Sequence, residues 1–165
     1  MNMETLHDNI ESQIFKFRRN FLYDTREGDI EYITEQYEKG YDRLQYSLFE
    51  SKKVDLHWSN IEKSKFIESI IIGIPISHFV FIETKDLSLE IIDGKKRIET
   101  LYEFTRNLLK LEGLEKLTFL NGLTFNELRS RKKIIFLKTH LRYIYVSSES
   151  SNEMIEYIRK LNNGV

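Results

Sequence analysis

Residues 91–101 read Ile91-Ile92-Asp93-Gly94-Lys95-Lys96-Arg97-Ile98-Glu99-Thr100-Leu101. Residues 87–92 alternate in polarity and end on Ile91-Ile92, the pattern of a half-buried strand. Asp93-Gly94 closes the strand. Ile98, Leu101, Tyr102 and Leu108 then recur at helical spacing, so a helix is expected over 95–107. A strand that passes through one glycine straight into a helix points to an α/β or α+β fold, with a small mixed sheet flanked by helices.

The same pattern extends outward. Residues 79–82 form an apolar run and residues 141–146 another, each of strand length. Leu44, Tyr46 and Leu48 alternate with polar residues and mark a further short strand. Three Ser/Thr-x-x-Glu boxes open helices: Ser59 with Glu62, Thr124 with Glu127, and Ser150 with Glu153. The first helix should stop at Gly73-Ile74-Pro75, because Pro cannot continue the hydrogen-bond ladder. The second should reach Thr139 and the third Leu161. Residues 108–111 and 117–120 are short apolar runs, one of them read as a short strand. Upstream, Ile10, Ile14, Phe17 and Phe21 predict one helix, and Ile30, Ile33 and Tyr37 a second, separated by Gly28-Asp29. Residues 1–41 are therefore expected to be a helical N-terminal extension, and residues 42–165 the main domain.

Composition narrows the chemistry. The 165 residues include no Cys, which excludes disulfides, thiolate catalysis and Cys-based zinc sites. The formal charge of −1 gives no bulk attraction to nucleic acid, so any such contact must be local. The N-terminus lacks a secretory pattern, and no apolar stretch is long enough to span a bilayer. A cytoplasmic protein without a membrane partner is expected. The four His residues are scattered without metal-ligand spacing.

The turn at 93–97 carries the candidate chemistry. The first turn of a helix presents unpaired amides and partial positive charge, which together favour an anion. Lys95, Lys96 and Arg97 sit in that turn, where helix stability alone would favour acids. Two readings stand side by side. One is an ordinary Asp-Gly turn followed by a solvated basic run. The other is a phosphate site, with Gly94 allowing close backbone approach and Asp93 capping the helix, holding Mg²⁺ or orienting water. Arg129, Arg131, Lys132 and Lys133 form a second basic cluster, read as a solvated helix face or a contact for DNA phosphates.

These motifs resemble the DGQQR-motif, ParB/sulfiredoxin-like family at the front of GmrSD-type modification-dependent restriction enzymes. Asp93, Gly94, Arg97, Thr100 and Leu101 match its strand-to-helix motif, and Lys95 and Lys96 replace two glutamines. Trp58 followed by Phe66-Ile67-Glu68-Ser69-Ile70-Ile71-Ile72-Gly73-Ile74-Pro75-Ile76 resembles the upstream motif. Leu120-Asn121-Gly122-Leu123-Thr124-Phe125 and Arg159-Lys160-Leu161-Asn162-Asn163-Gly164 resemble the two downstream ones. A Gln-Arg pair expected before Trp58 is Lys53-Val54 here.

The resemblance implies a nucleotide-handling domain of a restriction or phage-defence protein that binds a nucleoside triphosphate with Mg²⁺. Asp93, Arg97 and Glu68 would be its catalytic residues, and Asp93 its metal ligand. Gly94, Lys95, Lys96, Thr100 and Asn162 would hold the nucleotide. DNA and a nuclease domain or subunit are the implied partners, and the family's C-terminal region would lie beyond residue 165. The lost Gln-Arg pair leaves a second expectation open: a DNA- or protein-binding module without turnover, including a decoy that blocks a defence complex. The sulfiredoxin redox reaction is excluded, because it needs a cysteine.

Overall fold

The computed structural model describes residues 3–39, 44–46, 58–84 and 89–162. Eleven elements build it: α1 (Met3–Arg19), β1 (Tyr23–Asp29), α2 (Ile30–Lys39), β2 (Leu44–Tyr46), α3 (Asn60–Ile72), β3 (Phe79–Glu83), β4 (Leu89–Asp93), α4 (Lys95–Thr105), α5 (Ser130–Leu137), β5 (His140–Val146) and α6 (Asn152–Asn162). The strands form one five-stranded mixed sheet in the order β1-β5-β3-β4-β2. β1/β5 and β3/β4 are antiparallel, while β5/β3 and β4/β2 are parallel. The α+β class expected from the sequence is the observed one. Lys53-Val54 and the turn at 85–86 lie outside the described residues.

The core forms where helices cover the central strands. Phe79 and Phe81 of β3 meet Tyr143 and Tyr145 of β5, with ring centroids 5.3–6.1 Å apart. Burial raises the Tyr143 hydroxyl well above its ordinary value. Ile30, Ile67, Ile98, Leu101 and Phe104 bring α2, α3 and α4 onto this layer. Phe104, Phe125 and Phe136 form a second aromatic group that fixes α5.

Several expectations need correction. The N-terminal segment has its two helices, but β1 lies between them and pairs along its whole length with β5. Part of the supposed extension thus belongs to the sheet. The Thr124–Glu127 box exists, yet it closes a single 3-10 turn at Phe125–Glu127, and α5 begins later, at Ser130. Neither short apolar run is a strand: residues 108–111 are irregular, and Thr118–Leu120 is a turn of 3-10 helix. Ser150 does not cap α6: its hydroxyl bonds both the N–H and the carbonyl of Leu22, and Ser151 accepts from Met154 N instead. The Ser59–Glu62 box is present as expected, and Gly73 ends α3 in the left-handed region at φ 92°.

One ion pair ties α6 to the sheet. Arg159 donates from Nε and Nη2 to the two carboxylate oxygens of Glu90 on β4, at 3.1 and 2.5 Å. The Glu90 side chain is only 8% exposed. Removing one partner of a buried pair strands the other charge. Arg159→Ala should therefore cost about 3 kcal/mol in urea unfolding, and Glu90→Leu combined with Arg159→Leu should recover most of it.

Candidate functional site

The site grows from the junction of β4 and α4. Near the end of β4 the ladder with β3 slips: Phe81 faces Ile91 and Val80 faces Asp93, which leaves Ile92 as the extra residue of a bulge. A bulge re-aims the residues that follow it. Gly94 then adopts φ 104°, a left-handed conformation that L side chains rarely take. A Cβ there would lie 2.4 Å from the Phe79 ring. Backbone conformation and close approach both require glycine at this position.

Gly94 is the N-cap of α4 and offers no side-chain acceptor to the first turn. No acid follows in that turn either. The N-cap therefore supplies no side-chain hydrogen bond to the first turn. Lys96 is exposed, Lys95 half-buried and Gly94 buried.

Arg97 braces the turn. Its Nη1 donates to the carbonyl and hydroxyl oxygens of Ser77, at 2.6 and 2.7 Å. Nη2 donates to the carbonyl of His78 at 3.1 Å and to Asp93 Oδ2 at 2.9 Å. The guanidinium also lies over the Phe79 ring, 4.6 Å from its centroid. The side chain is only 12% exposed, whereas Asp93 remains 44% exposed. Arg97 is thus spent on the protein, and Asp93 presents its carboxylate to solvent.

The other candidate residues separate from this cluster. Thr100 is fully buried and its hydroxyl donates to the Lys96 carbonyl at 2.7 Å. Glu68 is buried on α3 and accepts from the amides of Lys116 and Leu117 at 2.9 and 2.7 Å. Ser64, one turn earlier, accepts from Glu112 N. Together these two side chains hold the loop that follows α4. Burial by itself would raise the Glu68 pKa, but the amides of residues 115–117 outweigh it and hold the carboxyl below its ordinary 4.5. Asn162 closes α6, and its side chain lies outside the described residues.

Sequence reasoning missed a groove of about 340 Å³ along α4, lined by Tyr37, Trp58, Lys63, Lys96, Glu99, Tyr102, Glu103 and Leu108. It begins at the basic turn, since Lys96 belongs to both. Lys63 pairs with Glu103 at 2.6 Å within it. Lys96, Glu99 and Glu103 fall at helical spacing and could have marked one face of α4 in the sequence. The aromatic residues come from α2, from α4 and from just before α3, which no local pattern joins. Among the described residues no group of three or more His, Asp and Glu could hold a metal ion by itself. Asp93 fits a Mg²⁺ that arrives with phosphate oxygens, because such ions need only one or two carboxylates from the protein.

The family model of the GmrSD restriction endonuclease N-terminal domain matches residues 55–164. Among curated proteins and solved structures nothing matches the chain. The matched span contains the whole junction, the groove along α4 except Tyr37, and the loop held by Glu68. No helix among the described residues is long and apolar enough to cross a membrane.

Gly94→Ala should destabilise the protein by about 3 kcal/mol, combining backbone strain with overlap on Phe79, as measured by chemical denaturation. Glu68 generates a pH dependence. Its folded value is lowered, so its contribution is complete above the unfolded value and is lost as pH falls through the folded one. Melting temperatures taken between about pH 7 and pH 3 should show a shallower acid limb in Glu68→Gln.

Proposed function

The chain belongs to the family of GmrSD restriction endonuclease N-terminal domains, and from that premise we propose that it is the nucleotide-binding domain of a restriction or defence-type protein that targets DNA. The observation that carries this reading is the acid-free first turn of α4, which has no side-chain cap and sets Lys96 beside a half-exposed Asp93. The triphosphate of a nucleotide would lie across the amides of residues 95–97 and the Lys96 ammonium. Asp93 would hold the Mg²⁺ that accompanies the phosphates. When bound, that ion neutralises phosphate charge.

The groove along α4 extends the same reading. Tyr102 lies seven residues beyond Lys95, about 10 Å along the helix. A base would stack against the aromatic wall of Trp58 and Tyr102 while its phosphates remain at the turn. Arg97 acts as a positioning residue: it anchors the turn to the start of β3 and orients Asp93.

A second reading rests on the same arginine. Every hydrogen bond described for the Arg97 guanidinium goes to the protein. Stabilising a transferring phosphoryl group calls for a cation aimed at the phosphate. That arrangement favours binding without turnover, as in a regulatory module that reports nucleotide occupancy to a nuclease domain or subunit. The exposed Arg129, Arg131 and Lys132 offer a separate local contact for DNA phosphates.

Thermal unfolding with Mg²⁺ and ATP, GTP, CTP or UTP tests the reading. At ligand about 100-fold above Kd, the melting temperature should rise by about 5–10 °C for at least one nucleotide. Lys96→Glu should abolish the rise without lowering the unliganded value. No rise with any nucleotide, together with salt-sensitive DNA binding lost on Arg131→Glu, would replace this reading with a DNA-binding module.

A further inference from the structure

A second, more apolar cleft lies away from the groove along α4. α3, α5 and the loop between α4 and α5 enclose a cleft of about 400 Å³ lined by Ile70, Ile72, Leu117, Phe119, Ile135 and Phe136 among others, with Lys116 and Lys132 but, among the described residues, no carboxylate in its lining. Phe119 is 96% exposed, and Ile72 and Ile135 are about half exposed. Contiguous apolar surface of this kind marks an interaction site.

A second exposed apolar surface lies on the same chain. α1 runs for seventeen residues, about 25 Å, and none of its residues is buried. Met3, Leu6, Ile10, Ile14 and Phe17 recur every three or four residues, so they share one face. Leu6, Ile10 and Ile14 each remain at least 40% exposed. From Met3 to Phe15 the helix carries Glu4, Asp8 and Glu11 but no Lys or Arg. Its basic end stays with its own domain, where Phe17 lines a cavity beside Glu153 and Glu156 of α6.

We propose that the cleft receives α1 of a second copy of this chain. An amphipathic helix laid into an apolar groove is a recurring mode of recognition. Here an apolar stripe is offered to an apolar cleft, and the acid-only half of α1 is complementary to a lining whose charged members, among the described residues, are Lys116 and Lys132. Within one copy the two surfaces do not meet, since no α1 residue lines the cleft. Reciprocal exchange of the two helices closes a two-fold dimer with two identical contacts. Phe119 is the anchor, covered by the incoming stripe.

Sedimentation of the full chain over about 1–100 µM tests this. The chain is expected to dimerise. Phe119→Asp in the cleft and Ile10→Glu on α1 should each weaken the dimer by about tenfold or more while leaving the thermal unfolding of the monomer unchanged. Both positions are exposed, so both variants are expected to fold. Mixing the two is the discriminating arm: a Phe119→Asp chain keeps an intact α1, an Ile10→Glu chain keeps an intact cleft, and the mixture should associate through one such contact where neither variant does alone. A monomer at all concentrations overturns the proposal. So does a dimer that survives Phe119→Asp, which would mean α1 pairing with α1, and so does one that survives Ile10→Glu, which would mean cleft against cleft.

Discussion

The contact between Gly94 and the ring of Phe79 is the constraint around which the site is organised. With no Cβ on Gly94, the ring can close on the backbone at the point where β4 becomes α4. The left-handed glycine turns the chain sharply enough for strand and helix to be joined by that one residue. Arg97, one turn into the helix, then lies over the same ring and reaches the carbonyls of Ser77 and His78. One aromatic ring thus joins the start of β3, the end of β4 and the first turn of α4. Any group bound at that turn meets a frame already held by buried packing, not one assembled on binding.

Rigidity there has a consequence for chemistry. A guanidinium that holds four hydrogen bonds and a ring face is a poor candidate for swinging onto a phosphate, because moving it would leave two backbone carbonyls and a carboxylate without their donor. The exposed charge of the turn is then that of Lys96. Lys96 faces solvent there, while Arg97 serves the fold.

Much of this was legible in the sequence where one physical signal dominated locally. The α3 cap, its glycine stop, the three central strands and the strand–Gly–helix junction each rest on contiguous residues with a strong pattern. β1 was not legible, because Tyr23–Asp29 is polar on both faces and pairs on one side only, so it has no alternation to read. The Ser150 box misled for a related reason: a hydroxyl with a choice of partners took the backbone of Leu22, which lies 128 residues away in sequence. Of the candidate site, Asp93, Gly94 and Lys96 lie together as their spacing implied. Glu68 and Thr100 fell among the site candidates through their place in motifs, and each turns out to hold backbone in the interior.

That division bears on how the site communicates with the rest of the chain. β4 carries Glu90 three residues before Asp93, and Glu90 is gripped by Arg159 of α6. Both residues lie on one strand, so a shift of α6 acts on the strand that ends at the basic turn. The apolar face of α6, with Tyr157 and Leu161 exposed, borders the cavity that Phe17 of α1 also lines. A partner that covers this face would bear on the Arg159–Glu90 pair. A buried, bidentate pair resists sliding because any other register leaves a charge unpaired in the interior. Movement of α6 is therefore coupled to β4 as a unit, and β4 has little freedom to give except at its bulge, directly before Asp93.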